Sequence, residues 1–227
     1  MLEGQRDIIH NVGPVKNGIL DIIYGVLFDP ARTFAGIAHN PPVGAAVVIY
    51  ISLHLLESLM GLFITPQYFR EMHVPGMMGV DFVRHMAPLV AAGGFVLGIM
   101  KWFVMAGLLH LVAEIFGGKG SARKVFAVYG VAGLPAVFMI PVNILLFYLA
   151  AGFTRTLIAS LLGLGVFVWS TVLLITGVRE VHRFSTGRAV LTVFSPALAV
   201  VTIMVLAMII VGSAVSTLPV DPYFKIF

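Results

Sequence analysis

The chain has 227 residues, 59% of them hydrophobic and 11% charged, with a mean hydropathy of +1.04 and a formal net charge of +4. A soluble domain carries about a quarter charged residues, and one soluble core cannot hide this much apolar surface, so the composition predicts an integral membrane protein of the all-α class. There are no cysteines, which excludes disulfides, thiolate metal ligands and a cysteine nucleophile, and the basic residues are scattered among loops, which argues against nucleic acid as a partner.

The first residues, MLEGQRDIIHNVGPVKNG, mix charges and lack a continuous apolar core, so no cleaved signal peptide is expected. In GILDIIYGVLF, residues 18–28, Ile19, Ile22, Ile23, Val26 and Leu27 follow helical spacing while Asp21 sits off the stripe. This helix is too short to span. It is expected to lie on the membrane surface, with packing under the bundle as the alternative. Asp29-Pro30 predicts a cap and a first-turn proline, followed by a second short helix over 31–38 with Arg32 on its polar side and Phe34 and Ile37 on the other. Asn40-Pro41-Pro42 then stops the helix and turns the chain into the membrane.

Five apolar spans follow, at about 43–64, 88–116, 125–150, 157–178 and 189–212, each long enough to cross a bilayer. The expected plan is a five-helix transmembrane bundle, with residues 1–42 forming a cytoplasmic and interfacial segment with amphipathic helices and residues 213–227 an exterior tail. Orientation comes from the basic residues. Arg6, Lys16 and Arg32, then Lys119, Arg123 and Lys124, then Arg179, Arg183 and Arg188 fall on one side; only Arg70, Arg84, Arg155 and Lys225 fall on the other. The positive-inside rule places the N-terminus in the cytoplasm and the C-terminus outside. The third span carries Pro135 and Pro141, and the fifth carries Pro196, each expected to kink its helix.

The second span is expected to be the centre of the bundle, because it holds Lys101, His110 and Glu114 within a nearly continuous apolar run and ionisable groups should avoid lipid. On the first span Tyr50, His54, Glu57, Ser58 and Gly61 share one face, predicted to turn inward. Lys101 and His110 lie about half a turn apart around their helix, so they serve different neighbours. Similar depths of Glu57 and Lys101 predict an ion pair between them, with His54 or Ser58 completing its hydrogen bonds. His110 and Glu114 should sit near the cytoplasmic headgroups. Three readings compete: a structural salt bridge with a snorkelling His/Glu pair, an ion or proton path through His54, Glu57, Lys101 and His110, and a metal site at His54-x-x-Glu57 or His110-x-x-x-Glu114. The connection between the first two spans holds Met72, His73, Met77, Met78, His85 and Met86, which could hold Cu(I) or simply rest on lipid. HExxH, GxSxG and Walker motifs are absent, so neither an enzyme nor a cofactor is expected.

The segments GVLFDPARTFAGIAHNPP before the first span and GGKGSARKVFAVYGVAGLP entering the third, together with the five-span plan, resemble the prokaryotic branch of the Yip domain family, the membrane proteins named for interaction with Ypt/Rab GTPases. The second segment is similar to the family's basic loop, glycine/tyrosine element and proline, here Lys119, Arg123, Tyr129, Gly130 and Pro135. The Asp-Leu-Tyr-Gly-Pro element of eukaryotic members is absent before the first span, and their Gly-Tyr dipeptide is reversed here as Tyr129-Gly130. The resemblance implies the fold and a general role in membrane organisation, without Rab binding. The function expected is therefore a non-enzymatic protein of a prokaryotic inner membrane that binds anionic lipids, a membrane-protein partner or further copies of itself. The alternative is a small ion or metal transporter or channel.

Overall fold

A computed structural model describes residues 18–72, 80–149 and 152–216. The described residues form helices joined by short connections, without a strand: α1 (Ile19–Phe28), α2 (Pro30–His39), α3 (Val43–Met72), α4 (Val80–Ile115), α5 (Ala122–Ala132), a 3-10 turn at Leu134–Phe138, α6 (Met139–Leu149), α7 (Gly152–His182) and α8 (Thr186–Ser216). Five stretches are long and apolar enough to cross a membrane: Val43–Ile64, His85–Ile115, Ala122–Leu149, Gly152–His182 and Thr186–Ala214. These are the five spans expected from hydropathy, but the helices overrun them. Much of the expected connection 65–87 is helix, and Pro88 lies inside α4 instead of starting it. Hydropathy marks where the surroundings are apolar, whereas a helix ends where its backbone ladder stops.

The two short helices dock on the bundle through the face their spacing marks out. Ile22 and Val26 of α1 and Phe34 and Ile37 of α2 are buried, and Ile23 and Leu27 pack against the same core. The other side of α1 exposes Leu20, Tyr24 and Phe28. One apolar face of α1 thus packs on the bundle and a second stays exposed. Pro30 occupies the first turn of α2 as expected, but the Asp29 carboxylate does not cap it; the Thr33 hydroxyl instead donates to the Asp29 carbonyl at 2.8 Å.

The centre is the third span rather than the second. Forty-four per cent of its most apolar window is buried, against 22% for the second span and none for the fifth. Val125, Ala127, Val128, Gly130, Val131 and Ala132 of α5 are all buried, between α3, α4 and α7. Lipid is as apolar as any core, so membrane helices gather around small residues that permit close packing. A Cβ on Gly130 would lie 2.8 Å from the Trp102 ring and 3.3 Å from Ala46, and one on Gly177 would overlap Val128 and press on Phe34. These two glycines let α3, α4, α7 and α2 close on α5.

The third span breaks at Pro135, whereas Pro141 lies within α6 and Pro196 within α8. Gly133 and Pro135 replace α-helix by a 3-10 turn before α6 resumes the crossing. Most of the buried core gathers around α5, ahead of this break. Beyond it the last span has no buried residue over its most apolar stretch.

Candidate functional site

Two polar groups, at different levels of the bundle, hold most of the residues singled out in the sequence. The first is organised by a ladder of rings. His54 stacks on Tyr50 (centroids 4.1 Å apart), Tyr50 on Trp102 (4.2 Å) and Trp102 on Phe126 (4.0 Å), joining α3, α4 and α5. The ladder is tied to backbone: the Tyr50 hydroxyl donates to the Gly98 carbonyl at 2.7 Å, and Trp102 Nε1 donates to the Phe126 carbonyl at 3.1 Å. The His54 ring rests against Gly98, where any side chain would collide with it.

This register corrects the expected Glu57–Lys101 ion pair, which does not form. Because α3 and α4 run antiparallel, setting His54 beside Gly98 moves Glu57 one turn towards one membrane face and Lys101 one turn towards the other. The two charges therefore lie about 10 Å apart along the helices. Among the described residues the charged partner of Glu57 is its own helix neighbour, His54 Nδ1, at 3.7 Å, too long for a hydrogen bond. Lys101 is exposed on the outside of the bundle while the adjacent Trp102 takes the interior position. Its long stem allows the ammonium to snorkel. The predicted inward face of α3 is also only half inward: Tyr50 is buried and Ser58 and Gly61 are half-buried, but the Glu57 side chain is 48% exposed. Glu57 lines an open cleft of about 450 Å³, with Met60, Gly61 and Ile64 on α3 facing Ala136, Met139, Ile140 and Asn143 at the break in the third span.

The second group lies at the basic end, and the separation of His110 and Glu114 from Lys101 holds. His110 Nε2 approaches Glu114 Oε1 at 3.4 Å, with Glu114 more than half exposed. The residue that organises this end is His182, which hydropathy and motif reading passed over. It is 2% exposed, 5.8 Å from the His110 ring and 5.4 Å from the Phe184 ring. The Gly120 backbone N–H donates to His182 Nδ1 at 3.1 Å, so Nδ1 is the unprotonated nitrogen. Gly118 and Gly120 press so closely on this ring that a Cβ at either would collide with it. The available signals were the glycine-rich run GGKG at 117–120 and a histidine at the end of the fourth apolar span.

Both loops at this end leave their helices through the same turn. Gly117 (φ 81°) closes α4 with Gly118 N–H donating to Ala113 and Gly117 N–H to Glu114, and Arg183 (φ 55°) closes α7 with Phe184 N–H donating to Arg179. The Gly120–His182 hydrogen bond then joins the two loops, which brings their basic residues to one end. Lys119, Arg123, Arg183 and Arg188 are exposed, Lys124 is half-buried, and Arg179 pairs with Glu180 at 2.7 Å.

Arg155, read as a loop cation, is also buried: it donates to the Phe147 carbonyl at 3.3 Å and lies 5.4 Å over the Phe147 ring. Among the described residues no three histidine, cysteine or acidic side chains gather as a metal site. Of the exterior Met/His set, Met72 closes α3, His85 is exposed and Met86 half-buried; His73, Met77 and Met78 lie outside the described residues.

Comparison with known proteins bears on the whole arrangement. The Yip1 domain model matches residues 24–209. An uncharacterized protein of the archaeon Methanocaldococcus jannaschii is 29% identical over 92 residues, which cover 40% of this chain and 57% of that protein; the match thus spans little more than half of the relative's length. No solved structure matches the chain. The family match runs from α1 to α8 and includes the basic loops, the Tyr129-Gly130 pair and the proline break, and the chain belongs to the Yip1 domain family of integral membrane proteins.

Proposed function

We propose that this protein is a non-enzymatic organiser of a prokaryotic inner membrane, oriented with its basic end in the cytoplasm, where it gathers anionic lipid headgroups. The observation that carries the reading is the Gly120–His182 hydrogen bond, which stitches the two basic loops together. Lys119, Arg123 and Arg183 are thereby brought to one end of the bundle, and α1 separately exposes an apolar face. A cationic platform, together with the exposed Leu20, Tyr24 and Phe28 of α1, matches an anionic interface, where each Lys or Arg near the surface contributes about 1 kcal/mol. The archaeal relative supports the prokaryotic assignment. The reading is tested in nanodiscs of phosphatidylcholine with and without phosphatidylglycerol. Anionic lipid should raise the Tm, and Lys119/Arg123/Lys124→Gln should remove most of that rise; equal Tm in both lipids would overturn the proposal.

A second reading, a small ion transporter, rests on the cleft that reaches Glu57. It predicts a proteoliposome ion flux that Glu57→Gln abolishes; an unchanged flux, or none in the unsubstituted protein, removes it.

A further inference from the structure

We infer that the cleft between α3 and the break in the third span is a binding site for a small lipophilic ammonium compound, with Glu57 as the anionic contact. The inference does not rest on the lipid reading, since the cleft lies on the other side of the ring ladder from the basic loops. Its wall is almost wholly apolar: Met60 and Ile64 from α3 face Met139 and Ile140 across it. Into this wall project one carboxylate, Glu57, and one carboxamide, Asn143. A carboxylate in a bilayer is costly unless a cation meets it. Among the described residues, Lys101 sits about 10 Å away along the helices, and His54, 3.7 Å off, makes no hydrogen bond to the carboxylate and pairs with it only when protonated.

The missing charge should therefore come from the cleft's occupant. An inorganic divalent ion is a poor fit, because it demands six or more oxygen ligands and the described residues of this wall offer two polar side chains. An ammonium on an apolar body fits both features. Its N–H groups can donate to Glu57 and to the Asn143 carboxamide oxygen, and its body can cover the methionine and isoleucine side chains. The cavity, about 450 Å³, is of the size that accepts small organic ligands. It sits beside the 3-10 turn at Leu134–Phe138, which carries Ala136 into the lining, so the interruption of the third span helps shape the site.

The test is equilibrium binding of 1-adamantylammonium, compared with the equally sized neutral 1-adamantanol, to the full chain in phosphatidylcholine nanodiscs. The ammonium should bind saturably and at least about tenfold more tightly than the alcohol, the factor expected of one charge-assisted hydrogen bond. Glu57→Gln should abolish the difference. Ile140→Trp, which keeps Glu57 but fills the cleft, should block both compounds while leaving the Tm within a few degrees of the original. Equal binding of the two compounds, a preference that survives Glu57→Gln, or unimpaired binding to Ile140→Trp would each overturn the assignment. Loss of the ammonium signal on exchange into phosphatidylethanolamine would identify the lipid's own headgroup as the occupant. A fall in oligomeric mass caused by Ile140→Trp would place a second copy of the chain there. Either result replaces the free amine.

Discussion

Docking of α2 on the bundle is the feature that separates this structure from a chain whose short helices merely float at the interface, and Phe34→Ala tests it. Phe34 is fully buried, with its ring against Gly177 of α7 and the core around Val128 of α5. Truncating a buried phenylalanine to alanine costs about 3–5 kcal/mol when the site cannot collapse, and the rigid wall that α5 and α7 present here leaves little room to collapse. If α2 undocks locally, without the spans, this energy raises the open population by about two to three and a half powers of ten. The chain lacks cysteine, so a single introduced Ile37→Cys reports opening without background. Ile37 is 3% exposed on the docked face, whereas Arg32 on the same helix is exposed. Maleimide labelling of Ile37→Cys should be much slower than that of Arg32→Cys, and Phe34→Ala should accelerate the first about a hundredfold or more while leaving the second unchanged. Equal labelling of the two reporters in the parent chain would refute the docking, and no acceleration by Phe34→Ala would refute the energetic argument.

Three further outcomes follow from local geometry. Gly130→Val drives a branched side chain into the Trp102 ring and Ala46; it should destabilise the bundle by about 1–3 kcal/mol in denaturant titration and shift the tryptophan emission. His182→Ala removes the acceptor for Gly120 N–H and leaves that donor unpaired, at about 1–3 kcal/mol; amide exchange should quicken at Gly120 far more than in α5, and uniform protection would contradict the stitching of the loops. Arg183→Gly relieves a left-handed backbone at φ 55° and should raise stability by about 1 kcal/mol while weakening anionic-lipid binding, so Tm in neutral lipid and lipid preference should move in opposite directions.

How much of this was legible in the sequence depends on what each signal measures. The five spans, the proline break and the apolar stripe of α1 and α2 were readable because hydropathy and period report directly on lipid and on helix faces. The identity of the central helix was not, since Lys101, His110 and Glu114 drew attention to the second span while Gly130, Gly177 and Ala127 made the third the close-packed one. Depth arithmetic paired Glu57 with Lys101 by assuming aligned span ends. The real register is set by the fit of His54 to Gly98 and of Tyr50 to the Gly98 carbonyl, contacts that no spacing rule reveals. His182 and Arg155 were missed for a related reason: each sits at the edge of an apolar run, where composition cannot tell a solvated loop from a helix end buried under a neighbour.

The role proposed for the stitched basic loops is a single platform for anionic lipid. It is tested most directly by the Tm difference between nanodiscs with and without phosphatidylglycerol, compared for the parent chain and Lys119/Arg123/Lys124→Gln. With about 1 kcal/mol for each surface cation, the substitutions should remove about 3 kcal/mol of lipid-dependent stabilisation, and high salt should do the same to the parent chain. A parent chain whose Tm ignores phosphatidylglycerol, or a lipid effect that survives all three substitutions, would contradict the claim.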